Sequence, residues 1–63
     1  MRYWLEYWCA ARSEWLEETD RTGRPWASNH IGLIRTIAAA LYMCDARPRR
    51  VVDLHDQVVV YYR

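Results

Sequence analysis

The sequence predicts an α+β domain in which two helices pack on one face of a C-terminal β-hairpin, in the chain order ααββ. Three observations predict it. Apolar residues recur at helical spacing over residues 3–19, they do so again after Ser28, and the chain closes with two β-branched runs around a polar turn. Thr22-Gly23-Arg24-Pro25 and Ala46-Arg47-Pro48 punctuate the chain between these segments, because glycine and proline interrupt regular structure for steric reasons. There is no internal repeat, and residues 1–63 read as a single small domain.

In the first segment, a rotation of 100° per residue gathers Met1, Trp4, Leu5, Trp8, Cys9, Ala11, Trp15 and Leu16 into an arc of roughly 160°. Arg12 is the one charge inside that arc. The run Tyr3-Trp4-Leu5-Glu6-Tyr7-Trp8-Cys9 is also rich in strand formers, so the alternative is ββαββ with residues 3–19 as a hairpin. Glu14-Trp15-Leu16-Glu17-Glu18 does not alternate as a strand should, and this favours the helix.

The second helix opens at Ser28 or Asn29, both good N-caps. Ile31, Leu33, Ile34, Ile37, Ala38, Leu41 and Cys44 share one side of it, with Arg35, Ala39, Tyr42 and Met43 on the other. Pro48 forbids extension much beyond Ala46. The hairpin is Val51–Leu54 and Val58–Tyr62, joined through His55-Asp56-Gln57. Its last strand carries no charge from Val58 to Tyr62, so nothing in the sequence guards that edge. Three arrangements would satisfy it: further strands from the N-terminal segment, a helix over the edge, or a second chain completing the sheet as a homodimer through residues 58–62.

Composition narrows the function. A chain of 63 residues buries only about 60% of the surface its unfolded form exposes. Four Trp and five Tyr supply every aromatic, with no Phe, and Trp4, Trp8 and Trp15 are expected to form the core. All nine basic residues are Arg, which makes bidentate and stacked contacts that Lys cannot; GC-rich coding has the same effect. Net charge is +1, which announces no nucleic-acid or membrane partner. It divides unevenly: residues 1–20 hold five acids against Arg2 and Arg12, while residues 21–63 hold seven Arg against three Asp. Two cysteines, no signal-like start and no apolar run of membrane-spanning length point to a cytoplasmic protein with reduced thiols.

Chemistry has few footholds. Asp53, His55 and Asp56 cluster at the proposed turn, which offers no pocket to exclude water. Cys9, Cys44, His30 and His55 lack the paired spacing of a zinc site, and Gly23 and Gly32 cannot make a phosphate cradle. No enzyme activity, cofactor or metal is expected. The reading is a protein-interaction module that occupies a surface on a larger host protein or complex. Tyr3, Tyr7, Tyr42, Met43, Val58, Val60 and Tyr62 are its contact candidates. Chains this short are typical of phage or mobile-element genes, many of which encode stoichiometric inhibitors such as anti-CRISPR proteins. The competing reading is a nucleic-acid binder using Arg35, Arg47, Arg49 and Arg50, with Tyr61 or Tyr62 stacking on bases.

Overall fold

A computed structural model describes all 63 residues. Its opening segment is a hairpin and not a helix: β1 (Tyr3–Cys9) pairs antiparallel with β2 (Glu14–Glu17), from Glu6 opposite Glu17 to Cys9 opposite Glu14. The Arg12 N–H donates to the Cys9 carbonyl at 3.2 Å, and Ser13 takes a left-handed conformation with φ 53. That is a tight turn built without glycine. The helical arc in this segment was a coincidence of spacing. In β1 the apolar residues fall on both sheet faces, which removes the alternation that marks a strand.

The same edge of β1 is then used again. β3 (Ala27–Ser28) pairs with Trp4 and Tyr3 beyond the end of β2. Between them Leu5 donates its N–H to the Trp26 carbonyl at 3.0 Å and accepts from the Glu18 N–H at 2.9 Å. Residues 18–26 leave the sheet and return, closed by Trp26 N–H to Glu18 and Asp20 N–H to Arg24. At the tip, the Asp20 carboxylate accepts from the Thr22 hydroxyl at 2.6 Å and from the N–H groups of Thr22 and Arg24. Gly23 turns the corner at φ 86, where a side chain would be strained.

One helix follows, α1 (Ile31–Cys44). Its N-cap is His30 in extended conformation, with no side-chain cap. Ser28, an expected cap, instead accepts the His30 N–H on its hydroxyl at 3.0 Å. The helix stops at Asp45, whose extended backbone donates back to Leu41 at 2.9 Å, three residues before Pro48. β4 (Arg49–Asp53) and β5 (Val58–Tyr62) complete the fold as the expected C-terminal hairpin. Asp56 at φ 59 follows the turn closed by its N–H to Asp53.

The outcome is a small α+β fold with one helix and a five-stranded antiparallel sheet, not two helices on a hairpin. Strand order is β2-β1-β4-β5, with β3 beside β2 on the outer edge of β1. The element order is that of the ββαββ alternative with β3 added.

α1 covers one sheet face. Leu5, Ile34, Ala38 and Val51 form the buried core, flanked by Tyr3, Trp26, Ile31, Ile37, Leu41, Val60 and Tyr62. The expected Trp core is therefore corrected to an aliphatic one. Trp26 alone of the four indoles packs against it, and Trp4, Trp8 and Trp15 are only half-buried. Leu33 and Cys44, expected on the inner side of the helix, are exposed. Arg49 is buried on the helix side of β4, where Nε and Nη2 both lie 3.0 Å from Glu18 Oε1. Its Nη1 donates to the Asp45 carbonyl just past the helix end. Every buried polar side-chain atom has a partner, as a buried ion pair in so small a domain requires.

Candidate functional site: the helix-free sheet face

Side chains alternate across a sheet, so the strand registers fix what the uncovered face carries. Leu5 opposite Val51 and Val51 opposite Val60 point to the helix. Their neighbours therefore point away: Trp4, Glu6 and Trp8 on β1, Trp15 and Glu17 on β2, Arg50 and Val52 on β4, and Tyr61 on β5. A face that would ordinarily be polar carries three indoles, a phenol and a guanidinium.

These groups touch. Trp8 and Trp15 face each other in register and meet edge to face, with centroids 5.5 Å apart at 66°. Trp15 extends across the sheet to Tyr61, at 6.3 Å, so the rings bridge from one edge strand to the other. The Arg50 guanidinium lies 4.3 Å from the Trp15 ring centroid, while its Nε donates to Glu6 Oε1 at 2.7 Å. Arg63 covers Tyr61 at 4.7 Å. Ring quadrupoles attract both guanidinium groups, and the carboxylate fixes Arg50 from its other side. The result is a preorganised patch of Trp, Tyr and Arg, half-exposed and held by its own contacts.

At the Trp4 end the face dips into a cavity of about 210 Å³, lined by Trp4, Glu6, Glu17, Val52, Asp53, Leu54 and Asp56. The Asp53 carboxylate is occupied by the turn: Oδ1 accepts the N–H groups of Gln57 and His55, each at 2.9 Å. Those two bonds, Gln57 first, hold its pKa below the ordinary aspartate value. His55 and Asp56 are exposed beside it, and His30, His55, Cys9 and Cys44 lie on separate segments with no metal-holding group formed. Both thiols are unpaired.

The contact candidates from the sequence do not gather into one surface. Tyr3, Val60 and Tyr62 flank the core on the helix side, where Tyr62 donates its hydroxyl to the Arg35 carbonyl at 3.2 Å and meets the Tyr42 ring at 6.5 Å. Tyr7 lies beneath the Arg47 guanidinium at 4.3 Å. Met43 is alone among them in being almost fully open, at 87%. Val58 is half-buried on edge strand β5.

The four Arg candidates are likewise dispersed. Arg35 is exposed on α1, Arg47 pairs with Asp45 at 2.9 Å, Arg49 is buried, and Arg50 lies on the opposite sheet face. Sequence reasoning placed Trp8 and Trp15 inside and so missed the patch they make with Arg50 and Tyr61. The available signal was a strand apolar on both sides, which a helix covering one face does not require.

Fold and face together define a class: a one-helix α+β sheet protein whose uncovered face is an aromatic and arginine surface. Comparison with protein-family models, curated proteins and solved structures finds no match in any of the three. No helix is long and apolar enough to cross a membrane.

Proposed function

We infer that this protein is a protein-interaction module that binds through its helix-free sheet face. One observation carries the reading: Trp8, Trp15, Arg50 and Tyr61 form a contiguous half-exposed cluster on a face with no covering element. Trp, Tyr and Arg are the residues in which binding energy concentrates at protein interfaces. Here their conformational cost is met in advance by the ring contacts and by Glu6. Glu6, Glu17 and Arg63 give the patch the polar rim such interfaces have.

Occupying a partner surface needs no reaction centre, so a stoichiometric inhibitor of a larger host assembly, from a phage or mobile element, is the role proposed. The setting proposed for it is the cytoplasm. Nucleic-acid binding finds less support, because Arg50 already stacks on Trp15 and Arg49 is committed to Glu18.

The test is affinity capture from the native host with the wild type, Trp15→Ala and Met43→Ala. A partner held by the wild type and Met43→Ala but lost by Trp15→Ala, with the fold intact by circular dichroism, supports the reading. A partner lost equally by Met43→Ala moves the interface to the helix. Oligonucleotide binding at low salt that falls by orders of magnitude at moderate salt replaces it with the nucleic-acid reading.

A further inference from the structure

The two outer edges of the sheet are treated differently. One edge is made by β2, with only four residues, and β3, with two. Exposed Glu14 and Glu17 end β2, and Arg12 pairs with Glu14 at 3.4 Å. Short strands and charges are how natural sheets blunt an edge. The other edge is β5, with five uncharged residues in Val58–Tyr62. β5 pairs with β4 alone, and no loop or side-chain hydrogen bond ends on the main chain of residues 58–62. Its outward N–H and C=O groups are therefore unpaired, and Val59 and Tyr61 beside them are 45% and 48% exposed.

We propose that β5 pairs antiparallel with β5 of a second copy of this chain, about a two-fold axis at Val60. The strand is self-complementary in that register. Val58 faces Tyr62 of the second copy, Val59 faces Tyr61, and Val60 faces itself. β-branched residues opposite aromatic ones are favourable cross-strand pairs. The charges lie at opposite ends of the strand, Asp56 before it and Arg63 after it. Antiparallel pairing sets Arg63 opposite Gln57 of the second copy, one step from Asp56, so unlike charges approach and like charges do not.

A bulge at Val51–Val52 leaves Val59 as the extra residue of β5 and increases the local twist there, whereas Val60, Tyr61 and Tyr62 pair regularly with β4. The pairing consumes the one edge that carries no charge, so assembly closes at two copies. It joins two four-strand paths into one sheet, with Tyr61 of each copy beside Val59 of the other and the two Arg63 at opposite ends of the contact. The aromatic faces then form a single bivalent surface.

Sedimentation equilibrium on the full chain tests this. The wild type is expected at twice its 7.6 kDa mass. Val59→Lys and Tyr61→Glu are each expected to weaken association by about tenfold or more without changing the circular dichroism spectrum. An equimolar mixture of the two variants recovers the dimer, because the ammonium introduced on one chain then faces the carboxylate introduced on the other. A wild type that stays monomeric up to about 1 mM overturns the proposal, as does a mixture that does not recover. Isotope-filtered NMR on mixed labelled and unlabelled wild type provides a check that needs no variant. Contacts between chains from Val59 to Tyr61 support the register, and contacts at Trp8 and Trp15 instead overturn it.

Discussion

Arg49 directs two nitrogens, Nε and Nη2, at the same oxygen of Glu18, each at 3.0 Å, with the residues 1% and 7% exposed. The pair joins the start of β4 to the chain just after β2, so it ties the C-terminal hairpin to the N-terminal one across α1's end of the sheet. Removing Arg49 leaves the Glu18 carboxylate buried and unpaired. Arg49→Met is expected to destabilise by about 3–5 kcal/mol, enough to unfold much of so small a domain, whereas Arg49→Met with Glu18→Leu is expected to be markedly milder. Urea denaturation of the three proteins checks this; a double variant as unstable as the single one sinks it.

Glu6 and Glu17 stand directly opposite each other on β1 and β2, on the same face. Arg50 bonds Glu6 and offsets that repulsion. Like charges across a ladder are unfavourable and unlike ones favourable by about 0.2–1 kcal/mol. Glu17→Lys is therefore expected to raise the melting temperature, and Arg50→Gln to lower it and alter Trp fluorescence as the Trp15 ring loses its cover. Thermal melts followed by emission spectra measure both, and a destabilised Glu17→Lys would contradict the register.

Three aspartates titrate below their ordinary value in the folded chain. Asp20 does so chiefly through the Thr22 hydroxyl, Asp45 through the Arg47 N–H and Asp53 through the Gln57 N–H. An unfolded aspartate takes up its proton near pH 3.9, before the folded one does. The stability these bonds supply is complete above that pH and is lost as pH falls through the lower folded values. Melting temperature is expected to decline below about pH 4, and to decline less steeply when the three residues are changed together to Asn. A triple variant with the wild-type slope would refute the assignment.

Glycine acts differently at its two positions. Gly23→Ala meets no atom within 4 Å but must hold φ 86, at a cost of about 1–2 kcal/mol. Gly32→Ala also meets open space, within α1, and is expected to stabilise by about 0.4–1 kcal/mol. Guanidinium denaturation of each against the wild type gives the signs, which are opposite.

The C-terminal hairpin and the central helix were legible because each obeys one rule. Val51–Tyr62 is β-branched around a polar turn, and Ile31, Ile34, Ala38 and Leu41 repeat at helical spacing between Ser28 and Pro48. The N-terminal hairpin was not, since Trp4 and Trp8 point to one face of β1 and Leu5 and Tyr7 to the other. Periodicity reports a one-sided element, and β1 is two-sided. The patch was hidden for the same reason: a Trp read as core cannot also be read as surface. The Arg49–Glu18 pair rests on a contact 31 residues apart, which no local pattern announces, and its partners looked like ordinary surface charges.

The side excursion of residues 18–26 leaves and rejoins the sheet through Leu5, so the ladder does not depend on what lies at its tip. Its outermost residues, Arg21 to Arg24, are exposed and are tied down only by Asp20. This makes the excursion a ready socket for grafting. A foreign peptide spliced between Thr22 and Gly23 would be displayed on a stalk whose base is already riveted to the frame, leaving the hydrophobic interior untouched.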